Sequence, residues 1–307
     1  MPKMESMTIS KKVARHGLQS AKKIMNLFGF DIGRAYERRY LPELRYTLRL
    51  DPRLAKVLDP GLRSTTSWST ASRHDAAAAL TSGELGTAWK QLPGGHKWLN
   101  YFPIYEELLG YLRGRAPKIL EIGVYKGASL KLWSSYFGEG TTIVGVDIQS
   151  ACKRYEDPNN NIFVRIGSQT DRDFLRALID EFGPFDAILD DGSHVSGDQI
   201  ASFNALFKDG LQTGGIYLVE DLECYFWRES TARKQPYSFI DFAAHLARMM
   251  HMQYNKYGYE DFNIANPEVP VTYQVPFITT ILGSIRFYDS IVSLHKSMNT
   301  IPITQHL

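Results

Sequence analysis

Cysteine is scarce in this chain of 307 residues, which contains only Cys152 and Cys224. Their spacing matches neither a C-x-x-C redox motif nor a four-cysteine zinc site, and two thiols cannot form the disulfide framework of a small secreted domain. The sequence therefore indicates neither a cysteine-based metal centre nor an oxidising compartment.

Long apolar runs and a strong net charge are also missing. No stretch approaches the ~18 consecutive apolar residues of a transmembrane helix, and no apolar segment near the start leads into a small-residue cleavage site. The net charge is only +2, which argues against a dedicated nucleic-acid-binding protein. We expect a cytoplasmic protein without membrane insertion and without a nucleic-acid partner.

Basic residues are concentrated at the start of the chain. Residues 1 to 50 contain eleven Lys or Arg and four Asp or Glu, a net charge of +7. Their apolar residues follow roughly helical spacing in KKVARHGLQSAKKIMNLFGF. Such a helix suits packing on its own domain or on a partner subunit. Peripheral contact with an anionic membrane and a transit peptide are the alternatives.

The residue pattern changes near position 95. Helical patterns at 11–28, 35–50 and 71–80 predict a helical auxiliary region over residues 1 to 95, which ends at the breaker Leu-Pro-Gly-Gly. Residues 96 to 307 instead alternate short runs rich in Ile and Val with helical segments. This alternation is typical of a parallel sheet with helices on both faces, a Rossmann-like α/β domain.

The strands and helices of this domain can be placed approximately. Strands are expected at Lys118 to Ile122, Thr142 to Asp147, Ile162 to Ile166, Phe185 to Asp190 and Gly215 to Glu220. Helices fit at about 127–136, 172–182 and 196–209. The later segment SIRFYDSIVSLHK contains two extended runs that meet at Asp289-Ser290, which predicts an antiparallel hairpin at one edge of the sheet.

A ligand-binding pattern follows the first predicted strand. The turn into the next helix contains Glu121, Gly123, Tyr125, Gly127 and Ser129. Glycines let the backbone approach a ligand closely, and the amides at a helix start can bind polar ligand atoms. The Gly-x-x-x-Gly spacing differs from the dinucleotide fingerprint and disfavours a nicotinamide cofactor. The acid before it suits a ligand with an ammonium group, such as the methionine part of S-adenosylmethionine.

The next two strand ends complete the predicted cofactor site. Asp147 ends the second strand about twenty residues beyond the glycine loop, where a carboxylate can accept hydrogen bonds from both ribose hydroxyls. Gly167, Ser168 and Gln169 follow the third strand and are expected beside the adenine. The predicted cofactor is therefore S-adenosylmethionine.

Acidic residues crowd the ends of the fourth and fifth strands. The fourth is followed by Asp190, Asp191 and His194, and the fifth by Glu220 and Asp221. Ligands bind at the carboxyl ends of parallel strands, and clustered carboxylates repel unless a cation compensates. We predict a divalent ion at Asp191, Glu220 and Asp221, Mg²⁺ first and Mn²⁺ or Ca²⁺ next. Asp190 is assigned to the cofactor side; capping of the following helix is the alternative for either acidic pair.

The histidine suggests the chemistry of this edge. A metal acidifies and orients a coordinated hydroxyl, and His194 can then remove its proton because imidazole titrates near neutral pH. The predicted catalytic residues are His194 and Asp191.

These segments together resemble the metal-dependent sugar O-methyltransferases of macrolide biosynthesis, of the mycinamicin 2''-O-methyltransferase type. The resemblance covers residues 96 to 295 and is carried by ILEIGVYKGASLKLW, VGVDI, DDGSH, GGIYLVEDL and IRFYDSIV. It implies a class I methyltransferase sheet, and in that family the positions of Asp191 and His194 act as metal ligand and general base. The pair at Glu220 and Asp221 completes the family's metal site.

The resemblance also implies a small-molecule or glycan acceptor, a role in antibiotic biosynthesis and a homo-oligomer. Its members have an N-terminal auxiliary region, and HKWLNYFPIYEELL resembles the helix before their core. Trp98, Tyr101 and Tyr105 in that segment either cover the cofactor or acceptor or pack in the core. One departure is Gly167-Ser168-Gln169, where the family often has Gly-Asp-Gln beside the adenine.

Three functions are compatible with these patterns. The first is methyl transfer to a sugar hydroxyl of a glycosylated natural product or a glycan. The second is a catechol- or phenol-type O-methyltransferase, with Tyr225, Phe226 and Trp227 forming a flat apolar pocket. The third is a catalytically silent scaffold that only binds the cofactor, for which we would expect the metal and base positions to be lost.

Overall fold

The computed structural model describes residues 73–227, 237–256 and 274–300. The predicted helices at 11–28 and 35–50 lie outside these described residues. Of the helices in the described part of the chain, none is long and apolar enough to cross a membrane.

In the described part of the chain, seven strands form one sheet in the order β3-β2-β1-β4-β5-β7-β6. They are β1 Lys118–Ile122, β2 Thr142–Asp147, β3 Ile162–Ile166, β4 Phe185–Asp190, β5 Leu211–Val219, β6 Leu282–Phe287 and β7 Val292–Lys296. The first five strands are parallel, and β7 pairs antiparallel with both β5 and β6. The predicted parallel sheet with an antiparallel hairpin is confirmed.

The first four strands have the predicted bounds, but β5 begins at Leu211 rather than at Gly215. Its pairing with β4 shifts register between Phe185 and Ala187, because an irregular stretch separates Leu211 from Ile216. Gly214 lies in that stretch with φ +88°, which only glycine adopts readily. The glycine pair that suggested the strand start therefore belongs to a bulge inside it.

Helices cover the sheet on both faces. The described α-helices are α1 Arg73–Leu80, α2 Glu84–Trp89, α3 Tyr101–Leu109, α4 Ala128–Phe137, α5 Arg172–Phe182, α6 Ser196–Leu206, α7 Phe239–Met249 and α8 Phe277–Ile281. The predicted helices at 127–136 and 172–182 are confirmed within one residue. The helix predicted at 196–209 ends at Leu206, and Gly210 N–H caps it by donating to the Leu206 carbonyl at 2.8 Å.

Among the described residues, two apolar clusters form the core, one on each face of the sheet. Ile119 packs with Trp133 and Tyr105 on the face covered by α3 and α4. The next residue, Leu120, packs with Phe203 and its neighbours on the face covered by α5, α6 and α7. Successive side chains of a strand point to opposite faces, so the buried strand β1 contributes to both clusters.

Part of the predicted auxiliary region packs into this core. Leu85 of α2 is fully buried in the same cluster as Tyr101 and Phe102 of α3. Most of residues 1 to 95 lie outside the described part, so the domain boundary at 95 stays a prediction.

The loops after β1 and β4 touch at Gly123. Asp191 N–H donates to the Ile122 carbonyl at 2.9 Å, which brings the Asp191 carbonyl over the Gly123 backbone. A Cβ on Gly123 would lie 2.1 Å from that carbonyl oxygen, and Gly123 has φ +97°. Only glycine satisfies both demands, and this contact fixes the distance between the two loops that carry the site.

We expect Gly123→Ala to destabilise the protein far more than Gly138→Ala. Gly138 also has a positive φ, +90°, but a Cβ there meets nothing within 4 Å. The control therefore loses only the backbone term, roughly 1 to 3 kcal/mol, whereas Gly123→Ala also loses roughly 2 kcal/mol or more from the clash with the Asp191 carbonyl. Denaturant unfolding measures both variants, and equal losses would refute a tight contact between the loops.

Candidate active site

A crevice lies across the carboxyl ends of β1, β2, β3 and β4. It consists of a smaller cavity of ≈ 180 Å³ and a larger one of ≈ 770 Å³, and both are lined by Gly123, Asp147 and Gly192. The carboxyl ends of the parallel strands are where ligands bind in such sheets. Most of the predicted site residues line this crevice or lie directly behind it.

Asp147 holds the glycine loop in place. Its Oδ2 accepts hydrogen bonds from the backbone N–H groups of Val124 at 2.9 Å and Tyr125 at 3.1 Å, and its Oδ1 accepts from that of Gln149 at 2.8 Å. Burial acts to raise the pKa of Asp147, but these N–H groups outweigh it and lower the pKa below its ordinary value. An ionised carboxylate therefore borders both cavities, and its contact with a ribose stays a prediction.

The glycine loop owes its shape to two further positive backbone angles. Tyr125 has φ +49° and an exposed ring, and Gly127 has φ +70° and is the N-cap residue of α4. A Cβ on Gly127 would lie 2.6 Å from the Tyr155 ring, so the helix start approaches that ring too closely for a side chain. The loop leaves its backbone open to the larger cavity.

Glu121 lies behind the loop and is fully buried. Its carboxylate accepts hydrogen bonds from Ser129 Oγ at 2.7 Å and from Trp133 Nε1 at 3.1 Å. Burial raises the pKa of Glu121 to about 7, although Lys97 opposes this increase. Ser129 lines the larger cavity but Glu121 lines neither. The structure thus places Glu121 as an anchor between β1 and α4, and its contact with a cofactor ammonium group stays a prediction.

Gly167, Ser168 and Gln169 all line the smaller cavity, at the position predicted for an adenine. Gln169 Oε1 accepts a hydrogen bond from Ser193 N–H at 2.8 Å, and its Nε2 donates to Asp190 Oδ1 at 3.1 Å. The Gln169 side chain therefore joins the loop after β3 to the loop after β4. Contact of these residues with an adenine stays a prediction.

Asp190 is fully buried behind Gln169. It accepts hydrogen bonds from Ser202 Oγ, Gln169 Nε2 and, at 3.3 Å, from Tyr217 OH. Burial raises the pKa of Asp190 above its ordinary value, even though these donors act against it. Asp190 lines neither cavity, and its side chain ties β4 to α6 and β5; its predicted contact with the cofactor stays a prediction.

Three predicted residues meet at the other end of the crevice. One potential metal-ligand atom from each of Asp191, His194 and Asp221 lies within 4.8 Å of the other two, and each residue is half-buried. His194 Nε2 is 3.7 Å from Asp221 Oδ2, while its buried Nδ1 has no hydrogen-bond partner among the described residues. His194 and Asp221 both have positive φ angles, +56° and +54°, a strain that concentrates at functional sites.

Glu220 is not part of this group. It is fully buried, and its Oε2 lies 2.5 Å from the ammonium nitrogen of Lys97, which is also 2.5 Å from Asp191 Oδ2. Burial raises the pKa of Glu220 above its ordinary value; Lys97 opposes this increase and Asp191 adds to it. Burial acts to lower the pKa of Lys97, but Asp191, Glu220 and Glu121 outweigh it and raise the pKa well above its ordinary value. Metal binding by Glu220 stays a prediction.

The segment before the core contributes two side chains to the site, Lys97, for which the sequence predicted no role, and Tyr101. Lys97 bridges the carboxylates, and Tyr101 OH donates a hydrogen bond to Asp221 Oδ1 at 2.7 Å. Trp98, Tyr101 and Tyr105 were expected either to cover the cofactor or acceptor or to pack in the core. Tyr101 and Tyr105 are fully buried core residues, and Trp98 is half exposed. Tyr101 and Tyr105 share one face of α3, as their four-residue spacing indicates, whereas Lys97 lies in the loop before this helix and no local pattern indicated its role.

No protein-family model matches this chain. It is 34% identical over 214 residues to the 8-demethyl-8-(2-methoxy-alpha-L-rhamnosyl)-tetracenomycin-C 3'-O-methyltransferase of Streptomyces olivaceus. This alignment covers 66% of this chain and 50% of the relative. It is 32% identical over 221 residues to the L-olivosyl-oleandolide 3-O-methyltransferase of Streptomyces antibioticus, with 68% and 53% covered.

A solved structure agrees with these relatives. The MycE methyltransferase of the mycinamycin pathway, in complex with Mg, SAH and mycinamycin VI, superposes with a TM-score of 0.56 at 25% identity. The match covers 71% of this chain and 53% of that one. The chain is a homologue of sugar O-methyltransferases. The resemblance and the class I methyltransferase fold predicted from the sequence are confirmed. The chain spans about half the length of these two relatives.

We expect Glu121→Gln to stabilise the protein at high pH. The pKa of Glu121 is about 7 in the folded protein against an ordinary 4.5, so folding favours the protonated carboxyl. The stability that the protonated carboxyl contributes to the folded protein is complete below pH 4.5 and is lost as the pH rises through 7. The variant should therefore gain on the order of 3 kcal/mol at pH 8.5 and almost nothing at pH 4.5.

Denaturant unfolding at both pH values, without cofactor, measures this difference. Glu139→Gln is the matched control, since it removes the same charge at an exposed turn. A stability difference that is the same at both pH values would contradict the burial-driven shift at Glu121.

Proposed function

We propose that this protein transfers a methyl group from S-adenosylmethionine to a sugar hydroxyl of a glycosylated small molecule or a glycan. The observation that carries this proposal is the meeting of Asp191, His194 and Asp221 at one end of a crevice whose other end has the predicted cofactor residues. Homology to sugar O-methyltransferases supports the same reaction.

The crevice fits S-adenosylmethionine in shape and chemistry. The smaller cavity offers Ile122, Val146 and Ile148 to an adenine face and Gln169 to its edge. Asp147 borders both cavities as an ionised acceptor suited to ribose hydroxyls. The open backbone of the glycine loop then leads into the larger cavity, where the methionine part and the acceptor would meet.

The residues at the other end fit a divalent cation. Two carboxylates and an imidazole with an unpartnered nitrogen lie within 4.8 Å, and such oxygen and nitrogen donors suit Mg²⁺ or Mn²⁺. We assign the ion to Asp191 and Asp221, and keep Glu220 as the third predicted ligand. The solved MycE complex contains Mg, which supports the same assignment here.

The chain's own residues prepare the acceptor hydroxyl for attack. When bound, the cofactor supplies an electrophilic methyl group and the ion lowers the pKa of a coordinated hydroxyl. His194 lies beside both acids and would accept the hydroxyl proton on Nε2. Asp221 Oδ2, 3.7 Å from that nitrogen, provides a counter-charge for the protonated ring, and Tyr101 OH fixes the Asp221 side chain from behind.

A sugar is favoured over a phenol as the acceptor. The phenol alternative relied on Tyr225, Phe226 and Trp227 to form one flat pocket. Tyr225 is buried, the Tyr225 and Phe226 rings are perpendicular, and none of the three lines the crevice. The relatives act on rhamnosyl and olivosyl compounds, which supports a deoxysugar glycoside. Oligomeric state and compartment stay as predicted from the sequence.

We expect His194→Ala and Asp191→Ala to lose methyl transfer while they keep cofactor binding. Loss of a general base or metal ligand should lower the rate roughly 10²- to 10⁴-fold. The affinity for S-adenosylhomocysteine should change by less than about threefold, a change in binding free energy of about RT, because the predicted cofactor residues lie toward the other end of the crevice. The control is His251→Ala, an exposed histidine of the described chain.

Transfer of a radiolabelled methyl group to rhamnosyl and olivosyl glycosides, with a catechol in parallel, measures the rates. Near-normal turnover by either variant would refute its assignment. Methylation of the catechol but of no glycoside would overturn the sugar as acceptor and favour the phenol-type enzyme.

A further inference from the structure

A lysine occupies the space between two of the predicted metal ligands. The Lys97 ammonium nitrogen lies 2.5 Å from Asp191 Oδ2 and 2.5 Å from Glu220 Oε2. Its side chain is only 5% exposed and lies against the Tyr105 ring, with the nitrogen 5.8 Å from the ring centroid. This is a buried ion pair with two carboxylates, where solvent screens the charges far less than at the surface.

The position of Lys97 matters because the same carboxylates would serve a metal. Lys97 and Asp191 both line the larger cavity, together with His194 and Asp221. With the ammonium in place, Glu220 has one oxygen on Lys97, and its other oxygen is buried. The side-chain atoms that remain available to coordinate a metal belong to Asp221, His194 and the second oxygen of Asp191.

We propose that Lys97 is an internal counter-cation that competes with the divalent ion for Asp191 and Glu220, and that it thereby sets how tightly the protein binds metal. This inference rests on the proposed function, because it assigns a role toward that function's metal site. Lys97 touches neither cofactor nor acceptor in this role and acts as a positioning residue.

The competition follows from charge and space. An ion held by all three carboxylates requires the ammonium to leave the position between Asp191 and Glu220, and breaking a buried pair is costly. An ion held without Glu220 must approach with a positive charge next to Asp191, which repels it. In both cases the lysine weakens metal binding. Removing its charge should therefore tighten metal binding.

Mn²⁺ binding in the presence of saturating S-adenosylhomocysteine tests this, with free Mn²⁺ read by electron paramagnetic resonance. Lys97→Met keeps the length of the side chain without its charge, and Lys97→Gln can still donate a hydrogen bond to a carboxylate. We expect both to bind Mn²⁺ at least about tenfold more tightly than the unsubstituted protein. Lys97→Arg keeps the positive charge and should stay within about threefold.

Lys118→Met is the matched control for a lost lysine charge. Lys118 begins β1 at the opposite end of the strand, and its Nζ donates to the Phe182 carbonyl at 3.0 Å. Its Mn²⁺ affinity should match that of the unsubstituted protein. Thermal unfolding gives a second readout, because Lys97→Met and Lys97→Gln should be less stable without metal and should gain more from added Mn²⁺.

Each outcome decides the inference. Equal Mn²⁺ affinity in all proteins would overturn the competition and leave the proposed function intact. Weaker binding by Lys97→Met and Lys97→Gln would also overturn it, since Lys97 would then hold the ligands in place for the ion. Mn²⁺ binding by none of the proteins, folded by circular dichroism, would overturn both this inference and the metal-assisted part of the proposed function.

Discussion

Five carboxylates lie close together at the carboxyl ends of β1, β4 and β5, where the crevice opens, and their mutual repulsion and burial constrain the structure of this edge. They belong to Glu121, Asp190, Asp191, Glu220 and Asp221. An uncompensated buried charge is strongly destabilising, so each carboxylate needs a partner that compensates its charge. Hydrogen-bond donors hold Glu121, Asp190 and Asp221, and one ammonium group serves Asp191 and Glu220.

These partners divide the carboxylates by function. The two that point into the core, Glu121 and Asp190, join β1 and β4 to the helices behind them. The two that remain half-buried, Asp191 and Asp221, face the crevice beside His194. Burial therefore separates residues that build the edge from residues that are free to bind a ligand. Glu220 lies between these groups, because it is buried but paired with a residue of the cavity wall.

The loop after β4 connects the two ends of the crevice. Its Asp191 N–H bonds to the end of β1, and its Ser193 N–H bonds to Gln169 after β3. The same short loop carries the His194 side chain. A ligand in the smaller cavity would therefore contact the same loop, through Gly192 and Ser193, that carries the residues at the metal end.

Strand positions were predictable because parallel strands here are short apolar runs that end in ligand-binding residues. The glycine loop, Asp147 and the Asp191, His194 and Asp221 group were found for the same reason. Three features were not. The start of β5 depends on a bulge, the burial of Glu121 depends on Trp133 twelve residues later, and Lys97 reaches Glu220 over 123 positions. Such pairings depend on the packing of distant segments, which local residue patterns do not encode.

Calorimetric titration of the protein with S-adenosylhomocysteine and with NADH, each with Mg²⁺ and with EDTA, tests the central claim most directly. The residues of this crevice predict micromolar binding of S-adenosylhomocysteine and no binding of NADH. Folded protein that binds NADH, or that fails to bind S-adenosylhomocysteine under both conditions, would contradict the assignment of the crevice as a methyl-donor site.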